Sequence, residues 1–159
     1  MKNYIKLLDE AKNIQDLFRV VKDMGREYFG DDHAGLMLGI SDLGSYGKNF
    51  IGAFYSLNSN MIIVNDRPIK ALNGTELLKP YLFHILLHEY IHSLGHLDEA
   101  ETRQLAYIVS EKFFGKEHLA TKMAEDIGRF VPELEYSEPE DISIDYVESV
   151  DKENMGYIG

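Results

Sequence analysis

The chain has no cysteine and no tryptophan. The first absence excludes disulfides and thiolate-held metal, so packing must supply the stability and any metal must be bound through nitrogen and oxygen. Proline is scarce as well, at 4 in 159 residues, which excludes a polyproline or collagen-like rod. No apolar run approaches the roughly 20 residues that carry a helix across a bilayer. The amino-terminal stretch MKNYIKLLDEAKNIQDLF is amphipathic and charged, unlike a secretory signal with its apolar core, so a cytoplasmic location is expected. Positive charge is also in short supply. Lys and Arg total 16 against 27 Asp and Glu, a net charge of −11, and no basic stripe is present. Nucleic acid and acidic membrane surfaces are therefore disfavoured as partners. Internal repeats, a glycine-rich phosphate loop and a Gly-x-Ser-x-Gly elbow are absent too.

What the chain does have is a hydrophobic fraction of 45% over a length that suits one domain with a proper core. Composition changes near residue 131: the last 29 residues hold nine acids and one lysine. The expected division is a folded unit over 1–131 and an acidic carboxy-terminal segment over 132–159. That segment is read as a tail or, through the alternating DISIDYV, as an added strand.

Before the break, apolar residues from Tyr4 to Met24 recur at spacings of three and four, which predicts one helix over 3–29 ending near Gly25 or Gly30. GLMLGI reads as a strand. FIGAFYSL and MIIVND read as an antiparallel pair turning at Asn58 to Asn60, and DRPIKALNGT as a loop. Pro80 is expected to kink or restart the next helix. Further helices are expected from Asp98 to about Phe114, ended by Gly115, and over 117–130.

The most informative stretch is LFHILLHEYIHSLGHLDEAE, residues 82–101. Residues four apart on a helix lie one above the other, so His88 and His92 present their imidazoles together with Glu89 on the adjacent flank. Two neutral imidazoles at this spacing can hold a zinc ion with room for water, and Glu89 is placed to take a proton from that water. Tyr81, Leu82, Phe83, Ile85, Leu86, Leu87, Tyr90, Ile91 and Leu94 make the helix apolar nearly all round, as befits a buried central helix. An ionisable glutamate between two histidines in such a helix is costly to bury without a role. His84, one turn earlier, reads as a satisfied core histidine. Gly95 is a helix stop that lets the chain fold back toward the histidines.

With Asp98 six residues beyond His92, the motif resembles HExxHxxGxxH and HExxHxxGxxD of the metzincin zinc peptidases. That resemblance implies Zn2+ held by His88, His92 and Asp98, with Glu89 as general base. The acidic run Asp98, Glu99, Glu101 also resembles the start of the glutamate helix of gluzincins. It makes Glu99 the alternative third ligand, with Glu101 and His96 behind it. Met155 with Tyr157 stands where a metzincin methionine turn would be sought.

The resulting expectation is an α+β, zincin-like fold: a small, mainly antiparallel sheet with an edge strand, and a buried HExxH helix. In zincins the strand before that helix lies at the sheet edge and pairs with extended substrate, which places Met61–Asn65 there. The expected function is zinc-dependent hydrolysis of a peptide or protein substrate. Two rivals stand beside it. The motif's spacing is similar to that of ribosomal-RNA maturation endonucleases, though without their third histidine; a zinc-stabilised interaction domain without catalysis is the other. A tail carboxylate, Asp145 or Glu148, is a further candidate to occupy the open metal position and keep an enzyme latent.

Overall fold

The computed structural model describes residues 2–30, 33, 35–45, 51–131, 134, 138–139 and 143–149. The fold is mixed α+β, and its first helical region is two helices rather than one. α1 spans Tyr4–Glu10 and α2 spans Ile14–Phe29. The break is made by reciprocal capping: the Asn13 side chain accepts the Asp16 N–H while the Asp16 carboxylate accepts the N–H of Lys12. α2 ends at Gly30, in the left-handed conformation at φ 70°. Gly25 lies inside the helix instead, where its bare backbone faces the Tyr90 ring.

Among the described residues four strands form one mixed sheet: β1 (Met37–Ser41), β2 (Ala53–Ser56), β3 (Met61–Asn65) and β4 (Asp145–Ser149), in the order β2-β3-β1-β4. The β2–β3 and β1–β4 pairs are antiparallel and β1–β3 is parallel. The expected hairpin is present, turning at Asn60 with φ 51°, but β3 is an inner strand. The edge beside the helices belongs to β2. All five β3 residues are buried, and a continuous apolar run such as MIIV fits an inner position better than an edge. The carboxy-terminal segment contributes β4 at the opposite edge, tied in by the Ser41 hydroxyl, which donates to the Ser143 carbonyl.

DRPIKAL is not a loop but helix α3, Asp66–Leu72. Asn65 caps it and Pro68 falls in its first turn, where a missing N–H costs nothing. Pro80 is tolerated in the same way near the start of α4 (Leu78–Ser93), which runs on without interruption. α4 is the centre of the molecule, packed against α2, α5 (Glu99–Phe114), α6 (Leu119–Glu125) and β2. Eleven of its sixteen residues are buried, on every face. α6 is shorter than expected and passes into a 3-10 turn at Ile127–Arg129. No helix among the described residues is long and apolar enough to cross a membrane.

Candidate metal centre

The last turn of α4, the bend after it and the first turn of α5 bring three side chains together. His88 Nε2 lies 2.6 Å from Glu99 Oε1, and His92 Nε2 lies 3.0 Å from Glu99 Oε2. The ligand atoms of His88, His92 and Glu99 all fall within 4.8 Å of one another. Gly95 at φ 107° produces this return. A side chain would strain that backbone, and without the reversal α5 would not point its first residue back at the histidines.

The neighbouring polar residues have other duties. Asp98 caps α5, its carboxylate accepting the Glu101 N–H at 3.0 Å. His96 Nδ1 pairs with Glu101 at 2.9 Å, and its ring leans on Phe29. Of the residues considered as third ligand, Glu99 is therefore the one the fold sets against both imidazoles. His118 caps α6 and stacks on Phe114. Asp145 lies on β4, at the sheet edge opposite the one beside the site. Met155 and Tyr157 lie outside the described residues, as does the Glu148 side chain.

The chemistry of the donor set fits a metal ion. His92 Nδ1 is 2.7 Å from the His96 carbonyl, an oxygen that can only accept, so Nδ1 carries a proton. In the neutral ring Nε2 then bears a lone pair, and it faces the Glu99 carboxylate. Two acceptors 3.0 Å apart require a positive charge between them, either a proton or a cation. A backbone carbonyl that fixes the tautomer and turns Nε2 outward is the usual outer support of a metal-binding histidine. Thr102 completes it, its hydroxyl 3.3 Å from His92 Nδ1 and within donating distance of the His96 carbonyl.

Electrostatics agree. Burial pushes His88 below the ordinary imidazole range, with Glu99 acting the other way, and a neutral imidazole is the ligating form. Burial works to raise Glu99, yet His88 and His92 outweigh it and hold the carboxyl below its usual range. Glu89 differs: burial lifts it to about 7, with His92 and the Tyr55 backbone N–H opposing the rise and Glu99 adding to it. One carboxylate stays ionised and another is poised near neutrality, a separation suited to a ligand and a proton carrier respectively.

His88, Glu89 and Glu99 line a cleft of about 1070 Å³ between β2 and the segment from α6 to Val131. Gly52 and Ala53 form one wall, and Met123, Ile127 and Val131 the other. No family model, no curated protein and no solved structure matches this chain.

Two features escaped the sequence. Asn65 is fully buried and makes four hydrogen bonds: Nδ2 donates to the carbonyls of Gly44 and Ile51, and Oδ1 accepts from the N–H groups of Leu43 and Arg67. It pins the segment entering β2 against the end of β3. Only its place before Asp-x-Pro hinted at a cap. His84 is buried as expected but not satisfied, since its Nδ1 has no partner.

Proposed function

We propose that the protein is a zinc-dependent peptidase. His88, His92 and Glu99 hold the metal, and Glu89 is the general base. The observation that carries this reading is the convergence of His88 Nε2 and His92 Nε2 on one carboxylate, that of Glu99, beside a glutamate of raised pKa that lines the cleft. Zinc, when bound, supplies a Lewis acid that polarises a carbonyl and makes water acidic enough to react near neutral pH. Glu89 takes the proton of the attacking water and passes it to the leaving amine. The exposed edge of β2, beside α4, offers backbone groups to an extended peptide, a sequence-tolerant way of holding it across the site.

Of the rivals, RNA cleavage is disfavoured by the lining. Glu89, Glu99, Glu125 and Asp126 face the cleft with Arg103, a poor surface for a polyanion. A closed structural zinc shell needs a fourth protein ligand, and His96 is committed to Glu101.

The test is metal stoichiometry on protein purified without chelator, with digestion of a peptide mixture by wild type and by Glu89→Ala. One zinc per chain and cleavage that disappears in Glu89→Ala are expected. Cleavage that survives the substitution would overturn the mechanism, and an absence of bound metal would overturn the reading as a whole.

A further inference from the structure

α4 sets Tyr81, His84, Ile85 and His88 along one line facing the cleft, and two of the four carry polar atoms without a partner among the described residues. Tyr81 is 1% exposed and its hydroxyl makes no hydrogen bond there; His84 is 8% exposed and its Nδ1 makes none. An unpaired buried polar atom is costly, so two of them side by side in the wall of a cleft call for a use. The His84 ring centroid is 6.2 Å from that of His88, within one side chain's reach of the reacting centre.

Gly52 lines the cleft directly against this pair. The point where a Cβ would stand on it lies 2.9 Å from the Tyr81 hydroxyl and 3.7 Å from Ile85 Cγ2. Its φ is outside the left-handed region, so the glycine answers a need for room and not for an unusual backbone.

We infer that Tyr81 and His84, beside Gly52 in the cleft wall, form a specificity pocket for a neutral substrate side chain ending in a hydroxyl or a carboxamide. This rests on the peptidase reading, whose substrate class it names. Both end groups carry a donor and an acceptor and so can answer a phenol and a neutral imidazole at once. Both groups are buried, which disfavours a charge on either. Ile51, Ile85, Met123 and Ile127 give the approach apolar sides, which suits a long stem such as that of tyrosine or glutamine. A charged tip would find no counter-charge at the floor, and the acids Glu125 and Asp126 on the cleft repel an anionic one.

The test uses zinc-loaded Glu89→Gln protein, titrated calorimetrically with blocked peptides that differ at one position: tyrosine against phenylalanine, and glutamine against methionine. A site built around hydrogen bonds rejects the analogue that lacks them, so the polar member of at least one pair should bind about tenfold or more tightly. Tyr81→Phe and His84→Phe should each bring that ratio toward one without lowering Tm, because they remove orphans and not bonds. Gly52→Ala, which keeps both polar groups and crowds the Tyr81 hydroxyl, should weaken the polar peptides most and serves if either other variant fails to fold. Equal binding within both pairs, no binding of any of the four, or a ratio unchanged in the variants that fold would overturn the pocket. Cleavage of mixed peptides without side-chain preference would sink the pocket and spare the peptidase. Discrimination in binding with no turnover by wild type would do the reverse.

Discussion

Asp98 and Glu99 are adjacent acids at the start of one helix, and removing each should have opposite signatures. Asp98 acts as N-cap, so Asp98→Ala should cost about 1 kcal/mol, which for a domain of this size lowers Tm by about 2–4 °C. The loss should be the same with and without zinc. Glu99 is about half exposed, its side chain at 54%, and exposed ion pairs contribute at most about 1 kcal/mol, so Glu99→Ala should change metal-free Tm little. Its effect should appear on adding metal. Even an outer support of a ligand is worth 10–100-fold in affinity, and a ligand itself should be worth at least the upper figure. At a zinc concentration a hundred times the wild-type Kd, binding stabilises by about 2.7 kcal/mol, or about 5–11 °C. Wild type and Asp98→Ala should gain that shift and Glu99→Ala should lose nearly all of it. The assay is thermal unfolding of the three proteins with chelator and with zinc. If Asp98→Ala lost the zinc shift while Glu99→Ala kept it, the third ligand assigned here would be wrong.

Glu89 should couple stability to pH in the metal-free protein. Its folded pKa, about 7, lies above the ordinary 4.5, so the stability it contributes is fully present below about 4.5 and is lost as pH rises through about 7. Glu89→Gln should remove that decline, read as a flatter urea midpoint between pH 5 and pH 8; an unchanged slope would refute the assignment. Gly25→Ala would place a Cβ 2.5 Å from Cε2 of the buried Tyr90 ring. Overpacking of about 1–3 kcal/mol should outweigh a helix-propensity gain of up to about 1 kcal/mol, so urea unfolding should show a net loss; a stabilised variant would show that α2 and α4 pack more loosely than described. Asn65→Ala should orphan several buried groups at about 1–3 kcal/mol each, for a loss of at least about 3 kcal/mol. Hydrogen exchange should quicken in residues 42–45 and 51–56, and unchanged protection there would refute the pinning role.

The central helix and the grouping of its ionisable side chains were legible because both rest on local rules. HEYIH places two imidazoles and a carboxylate by helical spacing alone, and Gly95 marks the exit by backbone sterics. Local signals also misled. Periodicity from Tyr4 to Met24 does not register a capping break at Asn13, and proline signals breakage when read without its position in the helix. In both Pro68 and Pro80 the ring sits in a first turn. Gly25 and Gly30 look alike in sequence, yet one is a close-packing contact and the other a left-handed cap.

By itself the sequence determined the α+β class, the buried helix, the pair His88 and His92 with Glu89 beside them, and the chain's acidic balance. Each follows from composition or from contacts within one or two turns. Tertiary structure decided which acid of the Asp98, Glu99, Glu101 run faces the histidines, because that depends on the angle at which α5 leaves Gly95. It also decided that β2 and not β3 forms the edge beside the site, because β1 pairs directly with β3 and leaves β2 on the outer side of β3. The orphaned Tyr81 and His84 belong to the same class: whether a buried polar atom has a partner depends on what other segments bring to it.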